Sequence, residues 1–151
     1  MRRGRDWQRA RVYAWEDRIV VPRDKSTLPY MAAKDMVGAI WADLDLRYPP
    51  NVERLPGQAR RLQADGSRLL VRLPQTMPSW LLLHEMAHAL SSTHEGASDG
   101  HGPAFMGLYI QLLGRYMRWC RDELLHSAKA DGVDVRPEAR PAFIDARVRL
   151  G

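Results

Sequence analysis

The chain has 151 residues, of which 45% are hydrophobic and 27% charged, a balance typical of folded rather than disordered proteins. This length suffices for one domain with its own hydrophobic core, so we predict a single domain over residues 1–151. The single cysteine, Cys120, excludes both a disulfide framework and a four-cysteine zinc site within this sequence. We predict that Cys120 is a small buried side chain.

Neither membrane insertion nor nucleic-acid binding is strongly indicated. The apolar run Trp80–Leu83 is far shorter than the roughly 20 residues that span a bilayer. The basic N-terminus is followed by no apolar segment of the kind found in secretion signals, so we expect a cytoplasmic protein. A net charge of +5 is compatible with a nucleic-acid partner, but the basic residues are dispersed from Arg2 to Arg149, which favours a solvated surface.

In the first third of the chain we predict two short extended segments and one helix. Arg11–Trp15 is rich in β-branched and aromatic residues and is predicted as a strand, and Ile19–Val21 as a second extended piece. From Leu28 to about Leu46 the apolar residues recur at helical spacing, and the prolines after Tyr48 end this first helix. The residues that carry this spacing are Met31, Met36, Val37, Ile40, Trp41 and Leu44.

The middle of the chain predicts a hairpin followed by a buried helix. Asp65-Gly66 is a dipeptide favoured in two-residue hairpin turns, and we place it between strands at Ala59–Ala64 and Ser67–Leu73. The segment from Ser79 to Leu90 is apolar almost all round, which is typical of a helix buried through a domain. After a loop of small and polar residues, a further helix is predicted to start at Pro103 and to run to about His126. Short strands or a docked tail are expected at Val133–Val135 and Ala142–Leu150.

The buried helix carries the sequence His84-Glu85-Met86-Ala87-His88. Two histidines four residues apart lie on one helix face, so their ring nitrogens can converge on one metal ion. Zinc suits imidazole and, in catalytic sites, takes three protein ligands and a water, whose proton a neighbouring carboxylate such as Glu85 can accept. The alternative, an unpaired His-Glu-His set in a core, is physically unfavourable because buried charged groups need partners.

A third ligand has to come from elsewhere, and three downstream histidines are candidates. His101 is preferred because flanking glycines allow close backbone approach and Pro103 starts a helix directly after it, while His94 and His126 remain alternatives. Asp99 is interpreted either as a carboxylate that orients a ligand imidazole or as a turn residue. The group that stabilises the reaction's oxyanion stays open among four candidates, Tyr109, Tyr116, His94 and His126.

Two motifs together, H-E-M-A-H and the later D-G-H-G-P-A-F, resemble the SprT-like zinc metallopeptidases, the family that includes the Spartan protease. The shared part runs from about Trp80 to Tyr116. The resemblance implies that His84, His88 and His101 bind one Zn²⁺ and that Glu85 is the catalytic base. The segment from Arg5 to Glu16 also resembles the start of small metallohydrolase-like proteins of actinobacteria and their phages. This sequence contains no cysteine zinc ribbon and no evident DNA-binding extension, features that accompany some SprT-like proteins, so we do not expect cleavage of DNA-crosslinked proteins from the resemblance.

We therefore expect an α+β, zincin-like metalloprotease domain, with a small mixed or antiparallel sheet packed on an N-terminal helix and on the helix of the metal motif. The predicted activity is zinc-dependent hydrolysis of peptide bonds in a peptide or protein substrate. Such a substrate is expected to add to a sheet edge formed by Arg68–Leu73. Two alternatives are a zinc-binding, DNA-associated interaction module without hydrolytic activity, and a hydrolase of non-peptide amides.

Overall fold

The described chain is a mixed α+β arrangement, as expected for the fold class: most of its short strands lie together in the middle of the chain, between helices on either side. The computed structural model describes residues 6–56 and 64–144. The helices are α1 (Arg9–Trp15), α2 (Tyr30–Asp43), α3 (Ser79–Leu90), α4 (Pro103–Tyr116) and α5 (Arg121–Ala130). The strands are β1 (Leu28–Pro29), β2 (Asn51–Arg54), β3 (Asp65–Gly66), β4 (Leu70–Leu73) and β5 (Thr76–Met77).

The N-terminal segment is helical throughout, so the predicted strand at 11–15 and the predicted extended piece at 19–21 are both wrong. After α1 the chain continues as a π-helical turn over Glu16–Val20 and a short 3-10 turn. Val12, Trp15 and Val20 are fully buried on one side of this segment. Packing of that side against the core outweighs the strand preference of the β-branched and aromatic side chains.

The helix predicted from 28 to 46 is observed as α2, which begins after Pro29. Its buried residues include Val37, Ile40 and Trp41, which follow the predicted helical spacing. The indole nitrogen of Trp41 donates a hydrogen bond to the carbonyl oxygen of Arg47, which ties down the chain just beyond the helix end.

A three-stranded sheet with the order β2-β4-β3 lies beside α3. Strand β4 is its central strand, parallel to β2 and antiparallel to β3. The prediction that the segment Arg68–Leu73 forms a free sheet edge is therefore wrong, because both of its sides are already paired. Asp65 and Gly66 are not the turn of the hairpin but its first strand, and the turn lies at residues 67–69. The predicted strand at 59–64 lies mostly outside the described residues.

A two-stranded antiparallel pair, β1 with β5, sets the starting points of α2 and α3. The carboxylate of Asp24 accepts a hydrogen bond from the backbone nitrogen of Trp80 at 2.8 Å, which satisfies one of the free amides in the first turn of α3. The hydroxyl of Ser26 accepts another from the backbone nitrogen of Ser79 at 2.9 Å. The start of the motif helix is therefore held by side chains that lie more than fifty residues earlier in the chain.

Helices α3 and α4 pack closely and form the centre of the core, with Leu82, Met86 and Phe105 fully buried. Helix α4 starts at Pro103 as predicted but ends at Tyr116, not near His126, because Arg118 adopts a left-handed backbone conformation (φ 58°) and α5 begins as a separate helix. Cys120 is exposed, so its predicted burial is wrong. Residues 133–135 form no strand, and the final expected segment lies largely outside the described residues.

Candidate metal and catalytic site

Three imidazoles converge between α3 and the start of α4. His84 and His88 lie one turn apart on α3, and His101 stands two residues before α4. One ring nitrogen from each lies within 4.8 Å of those of the other two, and the Nε2 atoms of His88 and His101 are 3.2 Å apart. Of the three candidates for the third ligand, the structure brings His101 into this cluster. His94 and His126 are both exposed and lie outside it.

The imidazoles rest on an apolar floor formed by Phe105. Its fully buried ring lies 4.4 Å from the ring of His88, 5.1 Å from that of His84 and 5.0 Å from that of His101, measured between centroids. Because α4 begins two residues after His101, the same short segment positions His101 and the ring of Phe105 that packs against all three imidazoles. This packing limits the rotamers available to the imidazoles, as a preorganised ligand set requires.

His84 is held from behind by a buried carboxylate that the sequence analysis did not identify. Its Nδ1 lies 2.6 Å from Oε2 of Glu16, and both side chains are only 5% exposed. The same oxygen accepts a hydrogen bond of 2.7 Å from the hydroxyl of Tyr109. Since a carboxylate can only accept, Nδ1 of His84 carries the proton and its Nε2 is free to bind a metal ion.

His101 has the same kind of support from Asp6. One carboxylate oxygen of Asp6 lies 2.9 Å from Nδ1 of His101, and the other accepts a hydrogen bond of 2.8 Å from its backbone nitrogen. The side-chain amide of Gln8 donates to the carbonyl oxygen of His101 at 2.8 Å. The segment that leads into α1 therefore fixes both the backbone and the ring of the third histidine, and leaves its Nε2 as an acceptor facing His88.

The donor set can hold a metal ion, and the separation of two of its ring nitrogens matches the geometry of a zinc site. Two imidazole nitrogens bound tetrahedrally to one zinc at about 2.0–2.1 Å lie about 3.3 Å apart, and the observed separation between His88 and His101 is 3.2 Å. Carboxylates on the far nitrogens of zinc-binding histidines are the usual means of fixing tautomer and ring orientation. Within the described residues, no further His, Cys, Asp or Glu joins the cluster, so it supplies three ligands and leaves a coordination position open.

Burial and neighbouring charges shift the pKa values of the three histidines in different directions. Burial, reinforced by His84 and His101, holds the pKa of His88 well below its usual value. Burial also lowers the pKa of His101, against the opposing effect of Asp6. For His84 burial acts in the same direction, but the hydrogen bond and charge of Glu16 outweigh it, so its pKa is raised. Its second proton would occupy Nε2, the same lone pair that a metal ion takes.

Glu85 lies beside this cluster, buried where α3 meets the edge strand β3. Burial raises the pKa of Glu85 to about 7; His84 opposes the shift, and the charges of Asp65 and Glu16 add to it. A Cβ atom on Gly66 would lie 2.5 Å from the backbone oxygen of Glu85. The absence of a side chain at Gly66 thus allows β3 to approach the motif helix directly.

An open cavity of about 240 Å³ gives access to these groups. It is lined by Tyr13 from α1, by the segment Ala64–Gly66 along β3, and by Glu85 and the three histidines of the cluster. Asp65 in this lining forms an ion pair with Arg72 of the central strand. The predicted ligands and base therefore share one solvent-accessible cleft, and the strand that lines it is β3, the outer strand of the sheet as far as the described residues show, rather than β4.

Asp99, Tyr109 and Tyr116 have structural partners rather than the roles considered for them in the metal site. The carboxylate of Asp99 accepts hydrogen bonds from the backbone nitrogens of Ala104 and Phe105 at 2.7 and 3.3 Å, so it caps α4 and does not orient an imidazole. Tyr109 is fully buried with its hydroxyl on Glu16. The hydroxyl of Tyr116 is bonded to Asp43 at 2.6 Å, outside the cleft.

The chain matches no protein-family model, no curated protein and no solved structure. Its site is therefore interpreted from the geometry and donor chemistry of its own residues. In the described part of the chain, no helix combines the length and apolar character needed to cross a membrane.

Proposed function

We propose that the protein is a zinc-dependent hydrolase that cleaves peptide bonds, a SprT-like member of the zincin class. The observation that carries the proposal is the orientation of the histidines. Nδ1 of His84 and Nδ1 of His101 are each held by a carboxylate, so their free nitrogens face His88 in a cleft that also contains Glu85. The two carboxylates thus turn two imidazole acceptors towards a third imidazole inside the core, an arrangement that hydrophobic packing alone does not require.

Zinc is the metal proposed because the ligands are all imidazoles and because three of them leave one position for water. A purely structural zinc site is normally closed by four protein ligands. No fourth His, Cys, Asp or Glu of the described residues joins the three histidines. The open position and the adjacent Glu85 both favour a hydrolase over a zinc-binding interaction module.

When bound, a zinc ion held by three imidazoles supplies a water of lowered pKa, about 7, as a nucleophile. The carboxylate of Glu85 takes one proton as the water oxygen adds to the carbonyl carbon of the substrate. The C–N bond then breaks with its electron pair remaining on nitrogen, and Glu85 transfers the proton to that nitrogen. The second water proton stays on the new carboxylic acid, which ionises, so the products are a carboxylate and an amine.

A peptide is the favoured substrate because a strand edge borders the cleft. Among the described residues, β3 pairs with β4 alone, and Ala64, Asp65 and Gly66 line the cavity together with Glu85. An extended peptide that pairs with the other edge of β3 through backbone hydrogen bonds would bring a carbonyl group close to the three histidines. We therefore propose that the substrate binds along β3.

The proposal is tested by metal analysis and by digestion of a peptide library with wild type, Glu85→Gln and His101→Ala. We expect wild type to bind one zinc and to cleave, Glu85→Gln to keep the zinc without cleaving, and His101→Ala to lose most of the metal. As a matched control, His126→Ala removes an exposed histidine and should change neither result.

If the protein binds stoichiometric zinc but cleaves no peptide, the peptidase function is excluded. Hydrolysis of compounds from a panel of other amides would then indicate an amide hydrolase, and no hydrolysis would indicate a binding module. Cleavage that survives in Glu85→Gln would exclude Glu85 as the base. Failure of wild type to bind zinc at all would overturn the proposal as a whole.

A further inference from the structure

Tyr13 is a partly exposed aromatic side chain that lines the cleft beside the three histidines. We propose that its hydroxyl donates a hydrogen bond to the carbonyl oxygen of the scissile amide as negative charge develops there. Tyr13 would then be a catalytic residue that stabilises the oxyanion of the tetrahedral intermediate. The inference rests on the proposed hydrolase function and adds to it the residue that the sequence analysis left open.

The ring of Tyr13 lies beside the ligand cluster and is accessible from solvent. Its ring centre lies 4.9 Å from that of His101 and 6.2 Å from that of His84, and the side chain lines the same cavity as Glu85. Tyr13 is 36% exposed, whereas the neighbouring Phe105 is fully buried. A group that is to meet a substrate carbonyl has to combine contact with the ligand cluster and access from solvent, and Tyr13 combines both.

Of the five tyrosines in the chain, the other four are placed elsewhere. Tyr109 is fully buried and bonded to Glu16, and Tyr116 is bonded to Asp43. Tyr30 donates to the carbonyl oxygen of Val52, and Tyr48, 70% exposed, is not among the residues that line the cleft. Tyr13 is therefore the tyrosine of the described chain that can present its hydroxyl to a bound substrate.

The charged neighbour of Tyr13 leaves the phenol proton available. The guanidinium of Arg9 lies over the ring, 5.5 Å from its centre. Because a guanidinium only donates hydrogen bonds, Arg9 cannot accept the proton of the Tyr13 hydroxyl, which can be donated to a substrate oxygen.

Helix α1 also couples Tyr13 to the metal ligands. Tyr13 and Glu16 are three residues apart, so they lie on the same side of the helical segment. Glu16 is fixed under His84 at 2.6 Å, and Gln8 fixes the start of the helix on the backbone of His101. The distance from the Tyr13 hydroxyl to the ligand cluster is thereby set by a rigid element rather than by a loop, as a preorganised oxyanion donor requires.

The test compares Tyr13→Phe with Tyr48→Phe, which removes the same hydroxyl from an exposed position outside the cleft. The substrate is the peptide that wild type cleaves best. Removal of one oxyanion donor lowers kcat roughly 100-fold in other hydrolases, and we expect a loss of that order in Tyr13→Phe with KM changed less than about threefold, because the bond forms only in the transition state. Tyr48→Phe should be indistinguishable from wild type.

A second readout does not depend on turnover. The phosphinic analogue of the same peptide imitates the tetrahedral intermediate, and its Kd can be measured by calorimetry on the zinc-loaded protein. Tyr13→Phe should weaken this analogue by a factor similar to the loss in kcat and leave the Kd of the cleaved product peptide unchanged. Zinc content should equal that of wild type.

Three results would overturn the inference. One is a Tyr13→Phe variant that retains kcat within about threefold of wild type. The second is an equal loss of affinity for the analogue and for the product peptide, which would indicate a role in general binding. The third is loss of zinc from Tyr13→Phe, which would indicate a structural role. If wild type itself neither binds zinc nor cleaves, the underlying function is at fault, and this outcome is distinguished from the others because it appears before any substitution is made.

Discussion

Glu16 and His84 form a buried pair in which a carboxylate oxygen lies 2.6 Å from Nδ1 of the imidazole, and 68 residues of chain separate them. This contact joins the first helical segment to the motif helix at the metal site. Because the carboxylate fixes the tautomer of the imidazole, the affinity of His84 for a metal ion depends on a residue that does not touch the metal.

Replacing Glu16 by glutamine should weaken zinc binding by about 10- to 100-fold, because the amide keeps the shape of the side chain but removes the charge that supports the imidazole. Competition of the purified protein with a chelating dye of known affinity measures this change. Asp17→Asn, a substitution at the adjacent exposed residue, should leave the zinc affinity unchanged. Equal affinities for Glu16→Gln and wild type would mean that the pair serves packing alone.

Loss of the carboxylate of Asp6 should affect zinc affinity, whereas loss of the carboxylate of Asp99 should affect folding stability. Asp6→Asn should weaken zinc binding, since Asp6 holds Nδ1 of His101. Asp99→Ala should instead cost about 1 kcal/mol of folding stability, because Asp99 caps α4 through two backbone nitrogens. Denaturant unfolding of the metal-free proteins and zinc titration separate the two effects. A larger loss of zinc affinity in Asp99→Ala than in Asp6→Asn would contradict these assignments.

Gly66→Ala should destabilise the protein by about 1 to 3 kcal/mol and reduce cleavage, because the new Cβ would meet the backbone oxygen of Glu85 at 2.5 Å and push β3 away from α3. Gly38→Ala is the matched control. Gly38 lies within α2, and a methyl group added there would meet open space, so alanine at this position should raise stability by up to about 1 kcal/mol. Thermal unfolding should show a Tm below that of wild type for Gly66→Ala and a Tm equal to or above it for Gly38→Ala.

Asp43 at the end of α2 accepts hydrogen bonds from Tyr116 at 2.6 Å and Arg115 at 3.0 Å on α4. These two contacts lower the pKa of Asp43. A lowered pKa in the folded state contributes stability above the pKa of the unfolded state, about 3.9, and this contribution is lost as the pH falls through the folded value. Wild type should therefore have a higher Tm than Asp43→Asn at about pH 7, and the gap should be smaller at about pH 3, below the pKa of the unfolded state.

The exposed Asp35 on the same helix provides the control for this comparison. Asp35→Asn should follow wild type at both pH values. A gap between wild type and Asp43→Asn that is constant with pH would mean that the loss comes from altered packing of α4 rather than from the charge of the carboxylate.

Local sequence signals predicted α3, α4 and the convergence of the two motif histidines, because helical spacing and a proline at the first helical position act over a few residues. The N-terminal helix carries two conflicting local signals. Val12, Trp15 and Ile19 have helical spacing, whereas each of them individually prefers strands. In the folded protein the spacing prevails, and it puts Tyr13 and Glu16 on the same side of the segment.

Other features could not be read from the sequence, since they depend on contacts between distant segments. Strand β4 is central because Asn51–Arg54 pairs with it in parallel, and nothing in that polar tetrapeptide indicates a partner about twenty residues later. Carboxylates behind the zinc ligands are expected on chemical grounds, but with 18 acidic residues in the chain the sequence does not select Asp6 and Glu16. Only the folded arrangement brings these two side chains to the imidazoles.

The supports of His84 and His101 lie 68 and 95 residues before the contacts that they make. Closing such long loops is among the slower events in folding, because their entropy is lost before the contacts form. Before α1 docks, a folding chain already contains all three histidines, but no carboxylate fixes the orientation of the rings of His84 and His101. Tight metal binding should therefore develop only when α1 docks. The rate of metal uptake during refolding then measures the rate at which the N-terminal helix docks.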